Sequence, residues 1–346
     1  MIEHKYPKNV TAIHIELTDK CQASCPMCAR NYNGGNERPF VGQHDITLEK
    51  FKTWFTPTFL KGIKNFYACG NYGDPIIAKD CLEIFEYVRT CTDGRLAIHT
   101  NGSARSTKWW ANLAHALEGR HDVTFGIDGF AESHVLYRRG TDWQKIIDNA
   151  RAFISAGGMA SVDCLVFKHN QHEIENFKAE MLSIGFKSVN VKSTGRFYDM
   201  QKFPVLNSAD QIEYYLEPAD LNEYKTINFL KLDELSKDIT LWQDIVNQTV
   251  VQPKCVSNNE IFIDARGTVY PCCWVGSDMI EEPLAVAMPI HDLRNKMVQN
   301  SKQHFKKFNK FNLNSMSMEQ VLSDSSWNMF DNLNNKPWSC AKNCKA

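Results

Sequence analysis

Three cysteines within eight positions limit what this chain can become more than any other feature. The segment "LTDKCQASCPMCAR" (17–30) carries Cys21, Cys25 and Cys28 with no fourth cysteine nearby. A structural zinc site wants four ligands in a tetrahedron, usually supplied as paired units. The nearest further candidate, His44, lies sixteen residues beyond Cys28 and nothing around it marks it as a ligand. A cube of iron and sulfide can instead be held by three thiolates, which leaves one iron open to a small ligand. Such a loop must be compact, and it must sit where a ligand can reach it.

The remaining cysteines follow a pattern. Five lie beyond residue 254 (Cys255, Cys272, Cys273, Cys340, Cys344), and Cys69, Cys81, Cys91 and Cys164 are scattered between the two ends. The N-terminus "MIEHKYPKNV" has no apolar core of a signal peptide. No run approaches the ~18 apolar residues of a membrane span. A cytoplasmic protein without membrane association is therefore expected. In that compartment twelve cysteines are not a disulfide framework, and clustering at both ends reads as metal binding. The four scattered cysteines read as small buried hydrophobes. A formal charge of -1 gives no overall pull toward nucleic acid, so the basic stretch "KQHFKKFNK" (302–310) reads as a solvated helix.

Residues up to about 200 alternate between two periodicities. β-rich runs fall at 12–17, 63–69, 95–100, 122–128, 160–167 and 188–193, with helical patterns near 47–56, 79–91, 107–118, 142–157 and 171–184. Gly94, Gly119, Gly157, Gly158 and Gly185 stand where several of these helices should stop. Six strands alternating with helices argue for parallel βα units in a barrel or doubly wound sheet. Residues 201–254 break the rhythm and read as an acidic, aromatic, partly helical bridge packed on the barrel. From 255 to 346 a third region begins. It opens on "IFIDARGTVYPCCW" (261–274), a hairpin pattern turning at Ala265-Arg266-Gly267. In parallel α/β proteins active sites form at the carboxyl ends of strands, and the cysteine triad directly follows the first run.

C-x3-C-x2-C in that position resembles the radical S-adenosylmethionine (radical SAM) superfamily. Further motifs fall at the other strand ends. "CGNYGDPII" (69–77) resembles the family's Gly-Gly-Glu-Pro motif in a Gly-Asp-Pro form. "HTNG" (99–102) is similar to its Thr-Asn-Gly, and "GIDGFAESHVLYRRG" (126–140) resembles the peptide-modifying branch. "KHN" (168–170) and "KST" (192–194) add polar clusters to the same mouth. The resemblance implies a partial (β/α)6 barrel over residues 1–200. It also implies a [4Fe-4S] cluster on Cys21, Cys25 and Cys28, whose open iron chelates SAM. Met27 would lie near the adenine, where an aromatic residue is usual, and Asp74 replaces the usual Glu. Gly73, Asp74 and Asn101 would border SAM, Asp128 its ribose or the substrate, and Arg139 its carboxylate.

The third region resembles the SPASM/twitch auxiliary-cluster domains, through Cys255, Gly267 and Cys272 at Cys-x11-Gly-x4-Cys. With five cysteines instead of seven, the shorter twitch form is implied, with one auxiliary [4Fe-4S] cluster on Cys255, Cys272, Cys340 and Cys344. Neighbouring strand residues point to opposite faces, so Cys273 is not expected to share it. Four thiolates leave no open iron, which suits an electron relay. The expected activity is reductive cleavage of SAM to a 5'-deoxyadenosyl radical that abstracts a substrate hydrogen, leading to oxidation or cross-linking of a peptide or protein side chain. A flavodoxin- or ferredoxin-type reductant is implied. Because the first strand begins near residue 12, no leader-binding domain is expected ahead of it, and a small-molecule dehydrogenase is the alternative. A zinc-binding scaffold without catalysis is the reading from a different class. No acid–base residue is assigned.

Overall fold

The structure, a computed structural model, describes residues 6–7, 9–118, 121–197, 201–221, 223, 241–280, 291–331 and 336–345. Gly119 lies outside the described residues, as does much of the segment read as a bridge.

Six strands form in the expected places: β1 (Ala12–Ile15), β2 (Asn65–Ala68), β3 (Arg95–Thr100), β4 (Asp122–Gly126), β5 (Met159–Val166) and β6 (Val189–Ser193). They pair in parallel and in sequence order. Helices α1 (Leu48–Trp54), α2 (Pro57–Leu60), α3 (Cys81–Cys91), α4 (Thr107–Ala116), α5 (Ala131–Tyr137), α6 (Trp143–Ser155) and α7 (Ile174–Ile184) occupy the crossovers. Thr47, Ser106 and Asp142 cap α1, α4 and α6 by accepting a first-turn N–H, which explains where these helices begin. Gly185 ends α7 in the left-handed conformation.

The strand sequences explain the layering. Along β5, Ala160, Val162, Cys164 and Val166 are buried, while the alternate face carries Asp163. One face of the sheet thus packs on helices, through rings such as Phe51, Phe66, Phe85, Trp110, Phe125 and Phe153. The other face turns polar groups inward. The result is a mixed α/β fold with a mostly parallel open sheet, consistent with a partial barrel.

Two regions differ from expectation. Residues 203–216 form an antiparallel hairpin, β7 (Phe203–Leu206) and β8 (Ile212–Leu216), where a partly helical bridge was expected. The apolar alternation Phe203, Val205 and Leu216 packs it onto Met27, Tyr137 and Phe167, which the acidic composition concealed. The second surprise is continuity. β9 (Glu260–Ile263) pairs in parallel with β1, and β10 (Val269–Tyr270) pairs antiparallel with β9. The C-terminal hairpin therefore extends the barrel sheet at its β1 edge. Asp264 closes the turn by accepting from the N–H groups of Arg266 and Thr268. The stretch 302–310 ends a helix (His291–Phe305) and continues as a 3-10 turn. Its Phe305 and Phe308 are buried beside Phe311 and Trp327, so its aromatic residues serve a core.

Candidate active site

The carboxyl ends of β1 to β5 converge on a cavity of about 220 Å³. It is lined by Cys21, Cys25 and Cys28 from the loop after β1, Gly73 and Asp74 after β2, Asn101 after β3, and Asp163 of β5. Residues far apart in sequence meet here because parallel strands present all their carboxyl ends on one side.

The loop after β2 is shaped by close approach. A Cβ on Gly73 would lie 1.8 Å from the Thr18 carbonyl oxygen, so only glycine fits. The loop is held from below by Glu16, whose carboxyl accepts N–H bonds from Tyr72 at 2.7 Å and Gly73 at 3.0 Å. Burial, with Asp264 and Asp19 nearby, outweighs those bonds and raises Glu16 to about 8. Asp74 accepts from Thr100 Oγ1 and the Asn101 N–H, both at 2.7 Å, which ties the second strand end to the third. Burial raises its pKa in spite of these bonds. Asn101 in turn accepts from Gln22 at 2.7 Å and donates to Cys21 Sγ at 3.6 Å.

The cysteine loop is equally fixed. Ser24, between the first two cysteines, donates its N–H to the Arg139 carbonyl, and the Cys28 N–H donates to the Cys25 carbonyl. Cys21 Sγ accepts from the Ala23 N–H at 3.4 Å as well as from Asn101. Burial raises the Cys21 thiol, and it pushes Cys25 up to about 11. A metal centre draws the proton from such a buried thiol, and N–H groups aimed at sulfur are what a cluster ligand uses. Three thiols leave a tetrahedral zinc one ligand short and suit a cluster held at three corners with the fourth open.

Two expected positions lie outside the lining of this cavity. Arg139 donates to the Leu206 carbonyl and to Glu213, both at 2.8 Å, and so anchors the β7–β8 hairpin away from the cavity. The guanidinium that lines the cavity is that of Arg138. It crosses the end of β4 over Gly126, where a Cβ would come within 2.8 Å of it. Asp128, expected near a ligand, is wholly buried. It accepts from Arg138 Nε at 2.6 Å and the Leu165 N–H at 2.7 Å, so it holds Arg138 and does not line the cavity. The sequence offers two adjacent arginines, and only the turn after α5 decides between them.

Met27 lines a second, larger cavity of about 300 Å³, together with Cys28, His14, Asn71, Arg38 and Arg196. Its far wall comes from the C-terminal region: Cys273, Trp274, Ser277, Asp278 and Lys342. Asn71 donates to the Cys273 carbonyl at 2.8 Å, and the Tyr72 hydroxyl to that of Ser277 at 3.2 Å. The loop after β2 is thereby bound to the C-terminal region. Glu16, His14, Arg138, Arg196 and Asp163 escaped the sequence reading. The period-2 pattern of β1, which places His14 and Glu16 on the inward face, was the available signal for two of them.

In the C-terminal region Cys255, Cys340 and Cys344 are buried, and Cys272 beside them is partly buried. Burial and then the other three thiols raise Cys255. Cys272 is pushed up to about 12, by burial and also by Cys344. Cys344 and Cys340 sit one helical turn apart, with the Cys344 N–H donating to the Cys340 carbonyl. Cys273 lies with the larger cavity, for a reason other than the strand alternation expected. β10 ends at Tyr270, and Cys273 begins a helix (Cys273–Ile280), so helical and not strand geometry separates it from Cys272. Four neighbouring thiols, each of which would repel the others as a thiolate, suit a cationic centre that draws off their protons.

Fold and site thus define an α/β protein with a three-thiol cavity at its strand ends and a four-thiol group in its C-terminal region. Comparison gives the same class. Residues 15–181 match the model of the radical SAM superfamily, and residues 255–345 match the SPASM iron–sulfur cluster-binding domain. The chain belongs to the radical SAM superfamily and carries a C-terminal SPASM domain. Radical SAM domains bind a [4Fe-4S] cluster and S-adenosylmethionine, and SPASM domains bind auxiliary clusters.

A probable GTP 3',8-cyclase of Methanocaldococcus jannaschii is 24% identical over 159 residues, 44% of this chain and 48% of that protein. Streptococcus suis SuiB bound to precursor peptide SuiA is similar in fold. Its TM-score is 0.53 at 11% identity, over 94% of this chain and 66% of that one. Native anSMEcpe with bound AdoMet and Kp18Cys peptide gives a TM-score of 0.52 at 14% identity, over 96% and 88%. The chain spans about half the length of the curated relative it matches. Among the described residues no helix is long and apolar enough to cross a membrane.

Proposed function

We propose that this protein is a radical SAM enzyme that abstracts a hydrogen from a peptide or protein side chain and oxidises or cross-links it. The observation that carries the reading is the gathering of Cys21, Cys25, Cys28, Gly73, Asp74, Asn101 and Arg138 around one cavity at the strand ends. When bound, the cluster and SAM supply a one-electron cleavage that yields a 5'-deoxyadenosyl radical. The chain's own residues hold and orient. Cys21, Cys25 and Cys28 are the thiolates. The Gly73 loop lets backbone approach the ligand closely. Asp74 and Asn101 fix the loop edges, and Arg138 offers a guanidinium to a carboxylate.

Cys255, Cys272, Cys340 and Cys344 hold one auxiliary cluster as an electron relay, with a flavodoxin- or ferredoxin-type protein as reductant. The larger cavity between these two sites receives the substrate. The peptide-bound neighbours SuiB and anSMEcpe support a peptide. A small molecule is the second reading, favoured by the modest cavity of about 300 Å³ and by a relative whose name assigns it GTP. The test is iron and acid-labile sulfide on anaerobically purified protein, with 5'-deoxyadenosine release from SAM under dithionite. Two clusters give about eight irons per chain. A colourless protein that releases no deoxyadenosine after reconstitution overturns the reading in favour of a zinc scaffold.

A further inference from the structure

Three groups around the larger cavity belong to neither thiol set. Cys69, directly after β2, lines both cavities and so stands where they meet. Cys273 lines the larger one from the C-terminal helix. His14 lines it as well and is 4% exposed. Its Nε2 lies 2.7 Å from the carbonyl oxygen of Cys69 itself, so Nε2 carries the proton and donates it. Burial lowers His14 to about 4, which keeps the ring neutral near pH 7. Nδ1 is therefore an acceptor, and it is buried with no hydrogen-bond partner. An unmet buried acceptor is costly, and it points to a ligand that brings an N–H or O–H.

The thiolates of the two cluster sites carry no hydrogen when ligated. Cys69 does. Its S–H is weaker than an aliphatic C–H, so a carbon radical nearby takes hydrogen from it downhill. Burial, then Asp74 and Glu16, push this thiol up to about 12, so it stays protonated at neutral pH.

We propose that Cys69 is a hydrogen-atom donor to carbon radicals formed between the two cavities, acting on a substrate group whose neighbouring N–H or O–H is held by His14. This rests on the radical reading above and adds a second exit for the radical besides oxidation. The step balances simply. The Cys69 S–H bond breaks, a C–H bond forms on the substrate, and a Cys69 thiyl remains. One electron from the ferredoxin- or flavodoxin-type donor and one proton from solvent restore the thiol. With hydrogen returned to the opposite face, the net outcome is inversion at carbon without oxidation.

The experiment needs no identified substrate. Holoprotein is given SAM alone in D₂O with a thiol-free one-electron reductant, and the isotopic composition of the released 5'-deoxyadenosine is measured. Without substrate, the 5'-carbon takes hydrogen from the nearest weak bond, which in D₂O is the Cys69 S–D. Wild type is expected to give mono-deuterated product. Cys69→Ala and Cys69→Ser are expected to lose the label several-fold at unchanged iron content, while Cys91→Ala, at a thiol that lines neither cavity, keeps it. A second readout needs no turnover: SAM should protect Cys69, and not Cys273, from iodoacetamide, as mapped by mass spectrometry. Label retained in both Cys69 variants, or no protection of Cys69, overturns the proposal and leaves the radical reading standing. No deoxyadenosine from wild type overturns both.

Discussion

Asp128 and Arg138 show how a residue can matter to a cavity without lining it. Asp128 is fully buried, and its carboxylate holds the guanidinium that borders the cavity. Removing one member of such a pair strands the other, at a cost of about 3–5 kcal/mol. Asp128→Ala is therefore expected to lower stability by that amount in urea unfolding, and an unchanged midpoint would refute the pairing. The adjacent arginines should behave differently. Arg138→Ala is expected to weaken SAM binding about tenfold or more, the worth of one hydrogen bond between charged groups. Arg139→Ala should leave SAM affinity near wild type and loosen the β7–β8 hairpin, which limited proteolysis would detect. Equal effects on SAM affinity would sink the distinction.

At the scale of elements, the helix that starts at Cys273 decides which thiols meet. Cys255, Cys272, Cys340 and Cys344 form one group, and Cys273 lies with the larger cavity. Cys272→Ala is expected to reduce iron from about eight to about four per chain, whereas Cys273→Ala keeps about eight. The reverse result would reassign the ligand. The loop after β2 offers a second case. Its Gly73 has a backbone oxygen where a Cβ would stand, and backbone cannot yield as a side chain can. Gly73→Ala is thus expected to lose SAM binding while the C-terminal cluster remains, read as retained iron without a SAM-induced change in the cluster's paramagnetic spectrum.

For the molecule as a whole, pH dependence should betray the buried carboxyls beneath the site. Glu16 is raised to about 8 and Asp264 to about 6, in both cases chiefly by burial. A carboxyl whose pKa is raised by folding stabilises the fold fully below its unfolded value and loses that contribution as pH climbs through the folded value. These two carboxyls should therefore lower thermal stability as pH rises from the ordinary carboxyl range, about 4, toward about 8, with the part above about pH 6 carried by Glu16 alone, and Glu16→Gln should flatten that upper slope. A stability that rises over this window would contradict the burial.

The division between sequence and tertiary structure follows from what each signal measures. Strand and helix positions were legible because hydrophobic period and helix caps are local, and β3 matches its run residue for residue. Cys21, Cys25 and Cys28 were legible because one loop carries all three at a telling spacing. The sequence by itself determined the parallel βα array, the thiol triad and the polar strand ends. What it could not determine is everything set by approach in space. Arg138 over Arg139 depends on the turn after α5, and Glu16 under Gly73 depends on two strands lying side by side. The joining of β9 to β1 pairs residues about 250 positions apart, a contact that no local pattern encodes. Side-chain direction at a turn and pairing across a sheet are properties of the packed chain, and only the fold decided them.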